Sequence, residues 1–359
     1  MTPLLLKARG MTRTVLVTGG SGYVASHLIS QLLERGDLVR TTIRNFDDRK
    51  KCAPLRALQL QYPQKLEIFS ADLLRAGSFG PAMTGCSIVY HVASPFKLPE
   101  KIVDGRREML DPALLGTRNV LASINDTPSV QRLVFTSTVG AIFGDYIDVL
   151  DMDGQILSES YFNTSSTIDN NPYHYAKTMA EREAWSICKA QTRWSMVSIN
   201  PGLILGPSLT PASESGSLFL LDEMIRGYFF YGAPNLSFTT VDVREVALAH
   251  IRAAENDDAQ GRYILAEKKM ISFLEVAKIL RRVHKRPIFL PKAQIPDWLV
   301  RVVGPRFGLK QDYITKHLGI RFAVDNAKSL TDLGITYRPI EETLVDHYHS
   351  WAAGARLDA

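Results

Sequence analysis

Residues Thr14 to Gly36 read TVLVTGGSGYVASHLISQLLERG, and the fold is decided there. An apolar run, Val15-Leu16-Val17, ends in Gly19, Gly20 and Gly22, after which a 3.6-residue period puts Val24, Leu28, Leu32 and Leu33 on one helical face. Strand, tight glycine turn and helix in this order make a βα unit. Such a turn lets a pyrophosphate approach bare backbone N–H groups at a helix N-terminus, where the macrodipole also favours negative charge. Gly36 suits the cap that closes the helix. The spacing Thr-Gly-x-x-Gly-x-x-Ala is looser than G-x-G-x-x-G, and a turn without ligand would use the same glycines. The strand and helix on either side are what point to a dinucleotide.

Outward from this unit, strand-like runs recur at Leu38 to Ile43, Leu66 to Ser70, Ser87 to Val92, Arg132 to Ser137 and Trp194 to Ile199. Helical patterns lie between them around Cys52 to Gln61, Pro112 to Ile124 and Tyr173 to Lys189. This alternation predicts an α/β fold: a Rossmann-type doubly wound parallel sheet covered on both faces. Beyond Asn200 the pattern changes. Pro201-Gly202, Gly206-Pro207 and Thr210 to Ser217 read as loop, and an apolar helix follows from Leu218 to Tyr228. Asp242 with Glu245, and Ser272 with Glu275, have capping-box spacing. Arg262 to Leu265 is a short strand that can return to the sheet, and a last helix spans Ile340 to Ala353. The expected organisation is a dinucleotide-binding domain over 12–200, with 239–266 returning to it. A smaller, mostly helical C-terminal substrate lobe is expected from 201–238 and 267–359.

At 359 residues the chain is long enough for such a two-part body. Its 45% hydrophobic and 22% charged residues are those of a soluble globular protein. The 42 basic and 37 acidic side chains leave a net charge of only +5. The basic clusters Arg49-Lys50-Lys51 and Arg281-Arg282 to Lys285-Arg286 lack interleaved aromatics, so they read as solvated helix faces and no nucleic-acid partner is expected. Three cysteines without C-x-x-C spacing argue against a disulfide framework or zinc site and fit a cytoplasmic setting. No apolar run has bilayer length, so no membrane is expected. The opening MTPLLLKARG is too short in apolar residues for a signal peptide, which makes Met11 a candidate original start after a disordered tail.

Tyr173 and Lys177, in NNPYHYAKTMAERE, stand four apart at the start of a predicted helix. That spacing sets a phenol beside an ammonium on one face, which Tyr175 does not share. A neighbouring positive charge favours phenolate, so a lowered Tyr173 pKa and proton transfer near neutral pH are expected. A hydroxyl-rich strand end, Phe135-Thr136-Ser137-Thr138, lies between the glycine turn and this pair. Each feature alone is common on protein surfaces. Their order is not.

Together these segments resemble the extended short-chain dehydrogenases/reductases, in particular the dihydroflavonol reductase and cinnamoyl-CoA reductase group with its microbial carbonyl reductase relatives. The matching runs are VLVTGGSGYVASHL, TTIRN, SADL, VYHVASP, GTRNVL, RLVFTST, NPYHYAK, NPGLILGPS, VDVREVALAHI and TDLGITYRPIEETL, so the resemblance spans nearly the whole chain. It implies Tyr173 as general acid in carbonyl reduction, Lys177 as ribose ligand and tuner of Tyr173, and Thr138 as the catalytic hydroxyl with Ser137 as fallback. It also implies that Thr18, Gly19, Gly22, Tyr23 and Val24 hold the cofactor's pyrophosphate side. Asp72 and Leu73 would bracket adenine, Val92, Ala93 and Ser94 would line the phosphate and ribose path, and Pro201 and Gly202 would meet the nicotinamide.

Arg44 closes the second strand, where NAD enzymes place an acid on the ribose. A guanidinium suits a 2′-phosphate instead, and with Lys50 and Lys51 nearby the expected cofactor is NADPH/NADP+, although Asp47 or Asp48 could reach a ribose hydroxyl. Two departures weigh against the plant substrates. Phe143 falls where dihydroflavonol reductases carry a polar residue, and Asn171-Pro172-Tyr173-His174-Tyr175-Ala176-Lys177 replaces the Asn-Trp-Tyr-Cys-Tyr-Gly-Lys of cinnamoyl-CoA reductases. Phe143, Phe219, Met224 and Tyr228 predict a mainly apolar pocket. His174 is expected to face solvent, and His347 with His349 to make a poor metal site; no metal is expected. The expected function is NADPH-dependent reduction of a hydrophobic aldehyde or ketone by a monomer or homodimer. A sugar-nucleotide epimerase or dehydratase, a steroid-type dehydrogenase and a noncatalytic dinucleotide sensor are the competing readings.

Overall fold

The computed structural model describes residues 13–95, 97, 102–210 and 216–354. Met11 and most of the Thr210 to Ser217 loop lie outside them. Seven parallel strands form the central sheet: β1 (Thr14–Val17), β2 (Leu38–Ile43), β3 (Leu66–Ser70), β4 (Ile88–His91), β5 (Arg132–Thr136), β6 (Ser195–Pro201) and β7 (Gly261–Leu265). Their spatial order is β7-β6-β5-β4-β1-β2-β3. Val15 pairs with Val39 on one side and Ile88 on the other, so the winding reverses between β1 and β4. In open α/β sheets ligands bind at the carboxyl ends beside this reversal. The Arg262 to Leu265 run does return to the sheet, with Tyr263 opposite Ile199 in parallel register.

The run after the glycine turn forms α1 (Tyr23–Arg35), and its predicted stripe is buried, with Leu28, Leu32 and Leu33 nearly inaccessible. Gly36 ends it at φ 96° with its N–H on the carbonyls of Leu32 and Leu33. On this face of the sheet α1 packs with α2 (Arg49–Gln61) and with α6 (Val243–Glu255), which follows α5 (Gly216–Arg226) in the chain. The opposite face is covered by α3 (Asp111–Asn125) and α4 (Pro172–Lys189), through Val120, Leu121 and Ile124 from one and Ala176, Ala180 and Ala184 from the other. Both faces being covered explains why the strands read as apolar runs without alternation.

A separate core joins α5 to α7 (Phe273–Leu280) and to the last helix, α10 (Ile340–Gly354), through Leu221, Met224, Phe273, Val276, Leu344 and Tyr348. Between them lie α8 (Asp297–Val303) and α9 (Gln311–His317). Ser272 and Glu275 form the expected capping box at α7. Asp242 and Glu245 do not. Asp242 caps α6 by accepting from the Arg244 N–H, while the Glu245 carboxylate takes Arg338 Nε at 3.1 Å. A basic side chain from a distant segment outcompetes the local backbone bond.

Candidate active site

The glycine turn opens onto a cleft of about 1260 Å³ along the carboxyl edge of the sheet. Gly19 sits at φ 73°, and a Cβ there would meet Ala93 Cβ at 3.0 Å, so only glycine lets β1 and the strand-end after β4 converge. The N-terminus of α1 has no side-chain cap at Gly22, which leaves its first-turn N–H groups directed at the cleft. The walls continue through Gly22, Tyr23, Val24, Arg44, Lys51, Asp72, Leu73, Val92, Ala93 and Ser94 to Pro201 and Gly202. Uncapped amides at one end, a basic loop to the side and a volume beyond a single small ligand fit a dinucleotide.

Thr18 departs from the expectation. It is fully buried, and its Oγ1 accepts from the N–H groups of Val92 and Ala93 at 3.1 and 3.0 Å while pairing with His91 Nδ1. It clamps β1 to the β4 end instead of facing the cleft. The Tyr23 hydroxyl likewise donates to Gly206 O at 2.8 Å, so only the rest of this residue borders the cleft. Asp48 lines the cleft, although one oxygen of its carboxylate caps α2 by accepting from Lys51 N, whereas Asp47 does not line it.

Thr138, Tyr173 and Lys177 also line this cleft. Asn171 caps α4 through His174 N, so Tyr173 and Lys177 fall in the first two turns on one face. Lys177 is buried and donates from Nζ to Thr136 O at 2.8 Å. Burial lowers its pKa to about 8, with Glu181 opposing. The expected lowering of the Tyr173 pKa is corrected: burial raises it to about 12, because a phenolate there would be desolvated.

The Thr138 hydroxyl accepts from Gly140 N at 3.2 Å and donates to Pro201 O over a long 3.5 Å. A ligand acceptor at ordinary distance would outcompete so long a bond. Ser137 has no such freedom, since its hydroxyl donates to the fully buried Glu181 at 2.5 Å. Glu181 also accepts from Asn200 Nδ2, Trp185 Nε1 and Arg262 Nε, and Asn200 Nδ2 donates to Thr138 O as well. This network was missed in the sequence, although Glu181 continues the Tyr173, Lys177 spacing by one more turn.

The outer wall is aromatic. Phe143, Tyr146, Phe219 and Phe238 line it together with Tyr313 and His317 of α9, whose rings stack at 4.0 Å. The His317 ring also lies 4.5 Å from the Tyr146 ring, which joins α9 to the short helix Tyr146–Leu150 in the segment after β5. The i, i+4 spacing of Tyr313 and His317 was the available sequence signal. Two expected pocket residues fall elsewhere: Met224 is core, because the period of α5 does not tell which side meets the cleft, and Tyr228 is on the surface, because α5 ends at Arg226. His174 is not solvent-facing either. Its ring covers Gly140, stands edge-on to Phe143 and bonds Gly144 O from Nδ1.

Among the described residues, no group of His, Cys, Asp and Glu is placed to hold a metal, and no helix is long and apolar enough to cross a membrane. Residues 15–266 match the model of the NAD dependent epimerase/dehydratase family. Cinnamoyl-CoA reductase CAD2 of Medicago truncatula is 34% identical over 347 residues, covering 96% of this chain and 97% of that one. Cinnamoyl-CoA reductase 1 of Arabidopsis thaliana is 36% identical over 333 residues, 90% of each. The solved structure of Gre2 from Candida albicans in complex with NADPH is similar at a TM-score of 0.75 and 27% identity, covering 95% of this chain and 99% of that one. The chain belongs to the NAD dependent epimerase/dehydratase family, on its extended short-chain dehydrogenase/reductase side, and is an oxidoreductase.

Proposed function

We propose that this protein is an NADPH-dependent reductase of hydrophobic aldehydes and ketones. The observation that carries the reading is one continuous cleft joining uncapped amides and Arg44 at one end to Thr138, Tyr173, Lys177 and an aromatic wall at the other. NADPH is the cofactor of this reading, and when bound it supplies the hydride. Thr138 and Tyr173 hold the carbonyl oxygen. The proton on Tyr173 stays in place at neutral pH because burial holds its pKa near 12, and it passes from the phenol oxygen to the developing alkoxide. Lys177 remains an ammonium below about pH 8 and would donate to a ribose hydroxyl of the bound cofactor and steady the phenolate left behind. Residues 201–238 and 267–359 form the substrate lobe in this scheme, with α9 closing the aromatic wall. The Gre2 complex supports the cofactor assignment. The test is NADPH oxidation over a panel of aromatic aldehydes, long aliphatic ketones, ketoesters and sugars. Hydrophobic carbonyls should give the highest kcat/KM; highest efficiency with short polar carbonyls rejects the substrate class.

A further inference from the structure

Of the seventeen large hydrophobic side chains exposed among the described residues, seven come from two stretches that run side by side in the C-terminal part of the molecule. One is the turn after α5, where Tyr228, Phe230 and Tyr231 are each more than half exposed. The other carries Ile288, Trp298 and Val302, 69%, 67% and 63% exposed, with Phe289 beside them. The stretches are joined by bonds from Ala233 N to Ala293 O and Ile295 N to Ala233 O, and by contact of Gly227 with Phe289. Large apolar side chains this exposed in two adjoining stretches form a patch of the kind that marks an interaction surface.

The second stretch is also basic: from Lys278 to Lys310 there are nine Lys or Arg, of which Arg282 is paired with Glu341, and one acidic residue, Asp297. Asp297 faces inward and accepts from Asn235 Nδ2 at 3.2 Å. Lys285, Arg286 and Lys292 are exposed, and the Arg286 guanidinium lies 5.9 Å from the Phe289 ring. The sequence alone showed these basic runs without aromatics; the fold brings Tyr228 to Tyr231 alongside them. Like charge disfavours pairing of this face with a second copy. Protruding Trp, Phe and Ile flanked by Lys and Arg match instead the boundary of an anionic bilayer, where rings enter the headgroup layer and cations meet phosphates.

We propose that this face docks the protein on anionic lipid surfaces, with Trp298, Phe230 and Ile288 inserted and Lys285, Arg286 and Lys292 at the phosphates. α5 leads from the cleft, which its Phe219 and Leu220 line, to this patch. On the reading that the substrates are hydrophobic carbonyls, docking brings the cleft to the phase in which they dissolve.

Co-sedimentation with vesicles of phosphatidylcholine, with and without about a third phosphatidylserine, tests the docking without reference to catalysis. Binding should require phosphatidylserine and weaken as salt rises. Each basic residue near such a surface contributes about fivefold to partitioning, so Lys285→Glu/Arg286→Glu should lose at least twentyfold. Phe230→Ser/Trp298→Ser should lose about tenfold or more. Leu60→Ser, on an exposed residue of α2 far along the chain, is the control and should bind as wild type. Trp185 and Trp351 are partly buried and Trp194 is buried, so brominated lipid should quench Trp298 selectively. Absence of vesicle binding at low salt overturns the proposal, as does equal binding to both vesicle types or unchanged binding by both double variants. Self-association lost in those variants without vesicle binding makes the face a protein interface and also overturns it. The carbonyl panel then stands or falls separately, since it is run without lipid.

Discussion

Burial holds the Tyr173 phenol near 12 and draws the Lys177 ammonium to about 8. Tyr173→Phe should therefore remove the proton donor and lower turnover by roughly two to four powers of ten while leaving cofactor affinity nearly intact. A variant keeping more than a tenth of wild-type turnover, where chemistry limits the rate, would remove Tyr173 from the role. Thr138→Ala should cost roughly one to three powers of ten and Thr138→Ser little. The cofactor's kcat/KM reports the free enzyme, in which Lys177 is charged below about 8 and neutral above it. It should fall as pH rises through that value, and a profile flat to pH 10 would mean that Lys177 keeps its proton. Arg44→Asp should weaken NADPH by roughly one to two powers of ten and NADH much less, as read by titrating both cofactors. The Tyr-Lys pair was legible because i, i+4 spacing on a helix fixes adjacency. How the hydroxyls of Thr138 and Ser137 differ was not, because Glu181, 44 residues away, accepts from the Ser137 hydroxyl. Nor was the direction of the Tyr173 shift, since burial is a property of the whole fold.

At the scale of elements, every strand read from the sequence lies in the central sheet, because strands buried on both faces print as apolar runs. The glycine turn was equally plain, since Gly19 and Gly36 occupy backbone that other residues resist. Caps were half legible. Ser272 and Glu275 close on each other, with Glu275 N donating to Ser272 Oγ at 3.2 Å, whereas Glu245 is drawn off to Arg338. Ser272→Ala should cost about 1 kcal/mol and lower the melting temperature by about 2–4 °C. An unchanged melt would mean that α7 is held by its core contacts alone. The aromatic wall was harder to read. Phe143 and Phe219 were found, but Tyr313 and His317 come from a helix that reaches the cleft only through the long return of the C-terminal segments.

At the scale of the molecule, the buried histidines tie stability to pH. His91 sits against Thr18, His250 bonds Thr136 Oγ1 and Val246 O, and His347 is bonded to the Gly206 backbone with its Nδ1 unpartnered. Burial lowers their pKa values to about 3, 4 and 4 from the usual 6.5. The unfolded chain then binds protons that the folded one refuses. The penalty is nearly absent above pH 6.5, grows as pH falls and levels off only at the folded values. At pH 5 it is roughly 2 kcal/mol for each histidine. Glu245 acts the other way. Its carboxyl is raised to about 7 by burial and by Asp242, so acidification relieves the strain of its charge and returns roughly 2 kcal/mol over the same range. Among these four groups the three histidines outweigh the one carboxyl, leaving a net loss of roughly 3–4 kcal/mol between pH 7 and pH 5; His27, His174 and His317, also lowered by burial, act in the same direction, and Asp37, Glu159 and Glu267, raised by burial, against it. Thermal melts at the two pH values should show a clear drop on the acid side. In His250→Gln, whose side chain cannot take the proton, that drop should shrink by about half whatever the variant's own stability. Equal melting temperatures at pH 7 and pH 5 in the wild type would mean that these imidazoles are protonated in the folded protein, and that the Thr136 and Thr18 hydroxyls face cations.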